Sequence, residues 1–251
     1  MRDHVDIPQV QKVLFAMAIS IRDVLERNRI PYIIAYGTLL GAVRGKDFIP
    51  WDDDFDFYLF DNTYDAAIQC LRRELPEAYF VEDQKSEPLY FHAWAHVKDM
   101  KSVAVCDAFP QDSLYTHKGI SVDLYRTRKM PLHELEGYLN SEALAYIQRR
   151  KNKGLISDSE YTERMSKLRE KLETTQDAEE SDELIYNLLP TDHSHFMRAG
   201  DVFPLKQYLF HGELFYGPKN ADLILSEIYG DYMQLPPEGE RRGHYSSVKF
   251  L

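Results

Sequence analysis

The stretch YGTLLGAVRGKDFIPWDDDFDFYLF, Tyr36 to Phe60, sets Asp52, Asp53, Asp54 and Asp56 within five positions, directly before an apolar run. Carboxylates this close repel one another and raise each other's pKa unless a cation or several hydrogen bonds compensate. In an extended segment alternate side chains share a face, so Asp52, Asp54 and Asp56 point one way and Asp53 the other. Adjacent members of that trio are separated by roughly 6–7 Å along the strand, close enough to share one or two hard cations through oxygen. A solvated turn is the competing reading of the cluster. A calcium loop fails: the sixth position is Phe57 rather than glycine, and the twelfth is Thr63 rather than glutamate. The upstream half adds a second signal, because Gly37-Thr38 opens a helix after a strand and so offers unpaired N–H groups to a phosphate.

Working outward, Val10, Val13, Leu14, Met17, Ile21, Val24 and Leu25 form one apolar stripe at helical spacing, with Pro8 in the first turn. Residues 32–36 read as a buried strand, Thr38 to Arg44 as a short helix, Asp54 to Phe60 as a strand and Tyr64 to Glu74 as a helix. Phe91 to Lys98 and Ser102 to Cys106 alternate as two strands joined near Asp99-Met100, and Gly119 to Tyr125 is a further short strand. From Pro131 to about Leu172 the periodicity is helical. Thr174 to Glu183 is acidic and apolar-poor, a solvated loop. Ala221 to Tyr229 is a helix, followed by a turn at Pro236-Pro237. Strands early and helices late predict an α+β fold, a helix-flanked sheet with a helical C-terminal part.

Composition bounds the function. Of 251 residues, 44% are hydrophobic and 28% charged, as in a globular protein. The net charge of −11 argues against a generic nucleic-acid binder, and Arg149-Arg150-Lys151 reads as a solvated helix face. The apolar stretch Val13 to Ile19 is about one-third of a membrane span and is flanked by charge, so neither a signal peptide nor an integral membrane segment is expected. Cys70 and Cys106 have no metal-ligand spacing and make no disulfide framework; Cys70 reads as a buried free thiol. The expected address is the cytoplasm.

The segment YGTLLGAVRGKDFIPWDDDFD is similar to the signature of the LicD family, which includes bacterial phosphocholine transferases and, more distantly, fukutin and fukutin-related protein. The lead-in NRIPYIIAYGT (Asn28 to Thr38) and the C-terminal YGDYMQLPP (Tyr229 to Pro237), followed by His244, fit as well. The resemblance implies a nucleotidyltransferase-like mixed sheet flanked by helices, one domain over 1–251 with core motifs in 30–125 and a helical part from about 130. It implies metal-dependent transfer of a phosphoalcohol from a CDP-activated donor to a hydroxyl of a cell-surface glycan or its lipid-linked precursor, releasing CMP. Phosphocholine leads; ribitol or glycerol phosphate, nucleotidyl transfer with release of pyrophosphate, and an inactive glycan-binding scaffold are the alternatives.

Carried over by position, Gly37 and Thr38 match the phosphate turn, while Asp54 and Asp56 match the pair that holds magnesium, or manganese in its place. Asp52 matches a further ligand or support, and Asp123 in GISVDLY the third carboxylate. The family more often has D-I-F-P where this chain has Asp123-Leu124-Tyr125-Arg126, and His-x-Gly where it has Gly45-Lys46-Asp47. Arg44 and Lys98 are candidate phosphate contacts, with a salt bridge as the competing reading. His244 is a candidate substrate contact, although it and His96 read first as structural or exposed histidines. Among the aromatics Tyr36, Trp51, Phe55, Tyr58, Tyr90, Phe91 and Trp94, Trp51 and Trp94 are the first candidates to face a quaternary ammonium. The enzyme is expected to meet the inner face of the membrane only through its acceptor or a partner.

Overall fold

The first helix, α1 (Ile7–Arg27), is capped by Asp6, whose carboxylate accepts from Gln9 N–H, and it buries the predicted apolar stripe against the sheet. The computed structural model describes residues 5–107, 109–174, 183–187 and 195–251. After α1 come β1 (Tyr32–Ile34), α2 (Tyr36–Arg44), β2 (Asp56–Phe60), α3 (Asp61–Glu74) and β3 (Tyr79–Glu82). Next are β4 (Ala95–Asp99), β5 (Ser102–Cys106), β6 (Ser121–Thr127) and β7 (Lys129–Pro131). Two helices, α4 (Leu135–Asn152) and α5 (Asp158–Thr174), precede β8 (Leu184–Asn187), β9 (Phe196–Arg198) and α6 (Ala199–Val202). The chain continues through β10 (Lys206–Phe210), β11 (Glu213–Gly217), α7 (Ala221–Tyr229) and β12 (Tyr245–Phe250).

The fold is α+β. Its central sheet has the order β1-β2-β6-β4-β3 and is mixed, because β2 and β6 run parallel while the other neighbours pair antiparallel. Strand periodicity sorts its residues between two faces. Phe57, Leu59, Val122, Leu124, Ala95 and Val97 pack with α1 and α3 in the main core. Their neighbours Asp56, Asp123 and His96 take the other face, where Ile33, Tyr58 and Phe60 pack with Ile224 of α7 in a second cluster. The charged residues of the motif are therefore carried by a sheet whose opposite face packs the main apolar core.

The C-terminal part is less helical than expected. Besides α4, α5 and α7 it holds the β7-β8-β9 sheet, the β10–β11 hairpin and β12. The hairpin turns on His211 (φ 48°) and Gly212 (φ 87°), a two-residue left-handed turn. The predicted hairpin of β4 with β5 does not form. Both edges of β4 are taken by β3 and β6, and Gly119 lies so close to the Asp99 carbonyl that no Cβ would fit, so β5 pairs with β12 instead. The predicted basic face at Arg149-Arg150-Lys151 is not solvated: Arg150 is buried over Phe91 and Tyr146, Arg149 donates to the Phe91 carbonyl, and Lys151 pairs with Asp158. Cys70 is half-buried rather than buried, and neither cysteine is in a disulfide. The predicted acidic loop at 174–183 lies mostly outside the described residues. Among the described residues no helix is long and apolar enough to cross a membrane.

Candidate active site

Sheet register lines up four titratable groups in one row. Glu82 of β3 pairs with His96 of β4, His96 with Asp123 of β6, and Asp123 with Asp56 of β2. His96 Nε2 lies 3.1 Å from Asp123 Oδ1 and its Nδ1 lies 3.6 Å from Glu82 Oε2. The Tyr125 hydroxyl donates to the other Asp123 oxygen at 2.9 Å. Asp123 is thus held by the Tyr125 hydroxyl and lies against His96, which burial keeps well below its ordinary pKa and so neutral. Burial also raises Asp123, despite the Tyr125 hydrogen bond, to about 7. Asp56 stands well above the usual carboxylate range, through burial and then the charges of Asp54, Asp123 and Asp52. Its N–H donates to Thr38 Oγ1 at 3.0 Å. Thr38 is therefore buried and fastens α2 to β2, instead of facing a ligand as its match to the phosphate turn suggested.

The acidic loop splits as alternation predicts. Asp53 turns inward, fully buried, and its two oxygens accept from His244 N–H at 2.7 Å and Tyr245 N–H at 2.9 Å. Gly243 lies directly over this carboxylate with no room for a Cβ. Asp53 thereby fixes His244, whose Nδ1 is 3.1 Å from Asp53 Oδ1 and 3.2 Å from Asp54 Oδ2. The hydrogen bond to Asp53, followed by the charge of Asp54, raises His244 to about 9 against the cost of burial. Asp52 turns outward over α2, with Oδ2 only 2.6 Å from where a Cβ on Gly37 would lie; Gly37 is required there for close approach. Tyr36, at φ 41°, occupies a left-handed conformation that costs roughly 1–3 kcal/mol, and its ring is packed between Tyr58 and Tyr125. Gly243→Ala should displace the 243–245 turn from Asp53. Leaving two buried N–H groups under-satisfied costs about 2–4 kcal/mol, a loss of roughly 10 °C in melting temperature by calorimetry; an unchanged melting temperature would remove Asp53 as the anchor.

One imidazolium does not balance this cluster. Asp52 remains raised to about 9, by burial and then the charge of Asp54, and burial also raises Asp54. Ligand atoms of Asp52, Asp54 and His244 lie within 4.8 Å of one another, and Asp54 Oδ1 is buried with no hydrogen-bond partner among the described residues. Hard oxygen donors around an orphaned acceptor fit a magnesium-like cation. Asp54 belongs to this group and to the trio Asp54, Asp56 and Asp123 expected from the sequence.

Asp52, Asp54 and Asp56 form the floor of a cleft of about 730 Å³, walled by Tyr36, Trp51, Tyr125 and Tyr229 and reached by Gly37, Arg44 and His244, while Asp123 lines a smaller adjoining cavity with Asp54 and His244. Arg44 donates to the Tyr232 carbonyl at the rim, 3.2 Å away. Trp51 carries the Arg241 guanidinium over its ring, 5.3 Å from the centroid. Lys98 does not reach the cleft: it is buried on the row's face, two residues beyond His96, and lines a smaller cavity with Asp112 and Asp123. Trp94 is buried away from the cleft, and Phe55, Tyr58, Tyr90 and Phe91 are core. The sequence reading gave no role to Asp53, Glu82, Tyr125 and Tyr229, set His96 aside, and named His244 only as a candidate substrate contact. Only register, visible once β3, β4 and β6 are paired, brings Glu82 and His96 to the carboxylates.

The site thus sets a glycine-opened helix beside an acidic strand, on a mixed sheet with a third carboxylate on the parallel neighbour. Residues 29–138 match the family described as LicD/FKTN/FKRP, nucleotidyltransferase domain. Over this segment the chain is similar to the LicD family, as the motif had suggested. It is 25% identical over 248 residues to the lipopolysaccharide cholinephosphotransferase LicD of Haemophilus influenzae, covering 90% of this chain and 91% of that protein. An uncharacterized protein of Rickettsia prowazekii is 23% identical over 155 residues, covering 54% of this chain and 53% of its own length. Another, from Rickettsia typhi, is 28% identical over 131 residues, covering 50% and 41%.

Proposed function

We propose that this chain transfers phosphocholine from a CDP-activated donor to a hydroxyl of lipopolysaccharide or a related surface glycan, releasing CMP. The observation that carries the reading is the carboxylate floor, with its orphaned Asp54 oxygen, beneath a cleft walled by tyrosines and Trp51. Similarity to a cholinephosphotransferase along nearly the whole chain supports it.

Magnesium or manganese, held by Asp54 and Asp56 with Asp52 and Asp123 beside them, would neutralise the donor diphosphate and its leaving CMP. The remaining work falls to the chain itself. Asp123, fixed by His96 and Tyr125 and raised towards neutrality, takes the proton from the acceptor hydroxyl. Gly37 and the first turn of α2 receive phosphate oxygens, and Arg44 meets them from the rim. Tyr36, Trp51, Tyr125 and Tyr229 offer ring faces to the trimethylammonium group, a preference that ribitol and glycerol do not share. His244 balances the cluster until the donor arrives. The work takes place in the cytoplasm, and contact with the membrane is made through a lipid-linked acceptor.

The test is a panel of CDP-choline, CDP-ribitol and CDP-glycerol with magnesium, reading CMP. CDP-choline should turn over about tenfold faster or more, the worth of one desolvated cation–π contact. Preference for CDP-ribitol or CDP-glycerol would refute choline.

A further inference from the structure

Tyr125 is a shared wall. Its ring lines the cleft on one side and, on the other, a second cavity of about 500 Å³ that contains none of the acidic-loop aspartates. Three guanidinium groups converge on this cavity, against the carboxylates of Asp61 and Glu142. Their situations differ. Arg126 is already committed, paired with Asp61 and lying over the Tyr64 ring. Arg128 is exposed beside Tyr138, 5.7 Å from the ring centroid, and pairs with no carboxylate among the described residues. Arg149 gives Nε to the Phe91 carbonyl at 2.9 Å, while its Nη2 is buried with no hydrogen-bond partner among the described residues. A buried guanidinium donor without an acceptor costs free energy, and here burial already pushes the group's pKa down. In a chain of net charge −11, an arginine-lined cavity with an idle buried donor is built for an anion.

Resting on the reading of the neighbouring cleft as the donor site, we propose that this cavity takes an anionic substituent, phosphate or carboxylate, on the sugar of the acceptor glycan. Arg128 and Arg149 grip that substituent, and a hydroxyl of the same or an adjoining sugar passes Tyr125 to reach Asp123. The site selects acceptors by charge, independently of which alcohol the donor carries.

Glucosamine 6-phosphate, glucuronic acid and glucose, titrated separately into the full chain by calorimetry, test this, with CMP titrated as a control for the cleft. One or both anionic sugars should bind at least about tenfold more tightly than glucose, and the arm that binds identifies phosphate or carboxylate. Arg128→Glu should weaken that binding about tenfold or more and leave CMP affinity unchanged. Arg149→Gln should do the same; because its Nε holds the Phe91 carbonyl, the exposed Arg128 keeps the test decisive if the Arg149 variant unfolds. Equal binding of all three sugars, or anionic-sugar affinity unchanged in Arg128→Glu, overturns the subsite. Since the readout is binding, an inert CDP-choline panel would overturn the donor reading alone.

Discussion

Asp54→Asn is expected to cut turnover at least about a hundredfold while making the metal-free protein more stable. The amide keeps the shape of the side chain but removes the charge that a cation needs. Stability moves the other way because Asp54 is buried near Asp53 and Asp52 and its ionisation is already disfavoured. The charge is thus a cost to folding that only ligand binding can justify, the trade between stability and function found at active sites. Asp56→Asn should behave alike, since Asp56 stands well above its ordinary range for the same reasons. Steady-state CMP release at saturating magnesium and melting by circular dichroism give the two readouts. A variant retaining a tenth of wild-type turnover would remove that residue from the metal site.

Without metal, stability should fall as pH rises from about 5.5 to about 8.5, and magnesium should flatten the fall. Unfolded aspartates titrate near 3.9, whereas Asp123 is raised to about 7 and Asp52 to about 9. Across that window these two aspartates keep protons that the unfolded chain has released, so stability declines with pH; His96 and His92, held low by burial, oppose this only up to about 6.5, so the decline is steepest above it. His244 adds the same sign. Its folded pKa of about 9 exceeds an unfolded value near 6.5, so its contribution is complete below 6.5 and lost as pH rises through 9. Magnesium binds the ionised carboxylates of the folded form, so its effect should be largest at the alkaline end. Several degrees should separate melting in chelator at the two pH values, with most of the gap closed by millimolar magnesium. A flat or rising curve in chelator, or no magnesium shift at pH about 8.5, would contradict a preformed site. Asp54→Asn should show a shallower slope, which isolates the cluster from the rest of an acidic chain.

Much of this was readable before any fold was known, because local rules carry it. Alternation alone separated Asp53 from Asp52, Asp54 and Asp56; Asp123 came from the family resemblance, and strand pairing is what sets it beside Asp56. Helical spacing marked α1, α3 and α7. What escaped is set by pairing between distant segments. Nothing near residue 53 announces that its carboxylate will cap the turn at 243–245, and nothing near 96 announces Asp123 across two strands. Thr38 shows the limit of carrying a role by position: a residue inside the phosphate-turn motif spends its hydroxyl on the backbone of Asp56. Lys98 shows another, for the strand was right, yet its side chain lines the smaller cavity with His96, Asp123 and His244 and not the cleft. The C-terminal strands are three to six residues long and interleave with helices, too short for their period to show.

The central claim is tested most directly by phosphorus NMR of one reaction, CDP-choline with magnesium and a lipopolysaccharide acceptor, run beside a chelated control. The account predicts equal amounts of CMP and a new glycan phosphodiester, and neither product in chelator. CDP-choline left intact in that reaction, with pyrophosphate released once CTP and phosphocholine replace it, would contradict it and assign the site to nucleotidyl transfer.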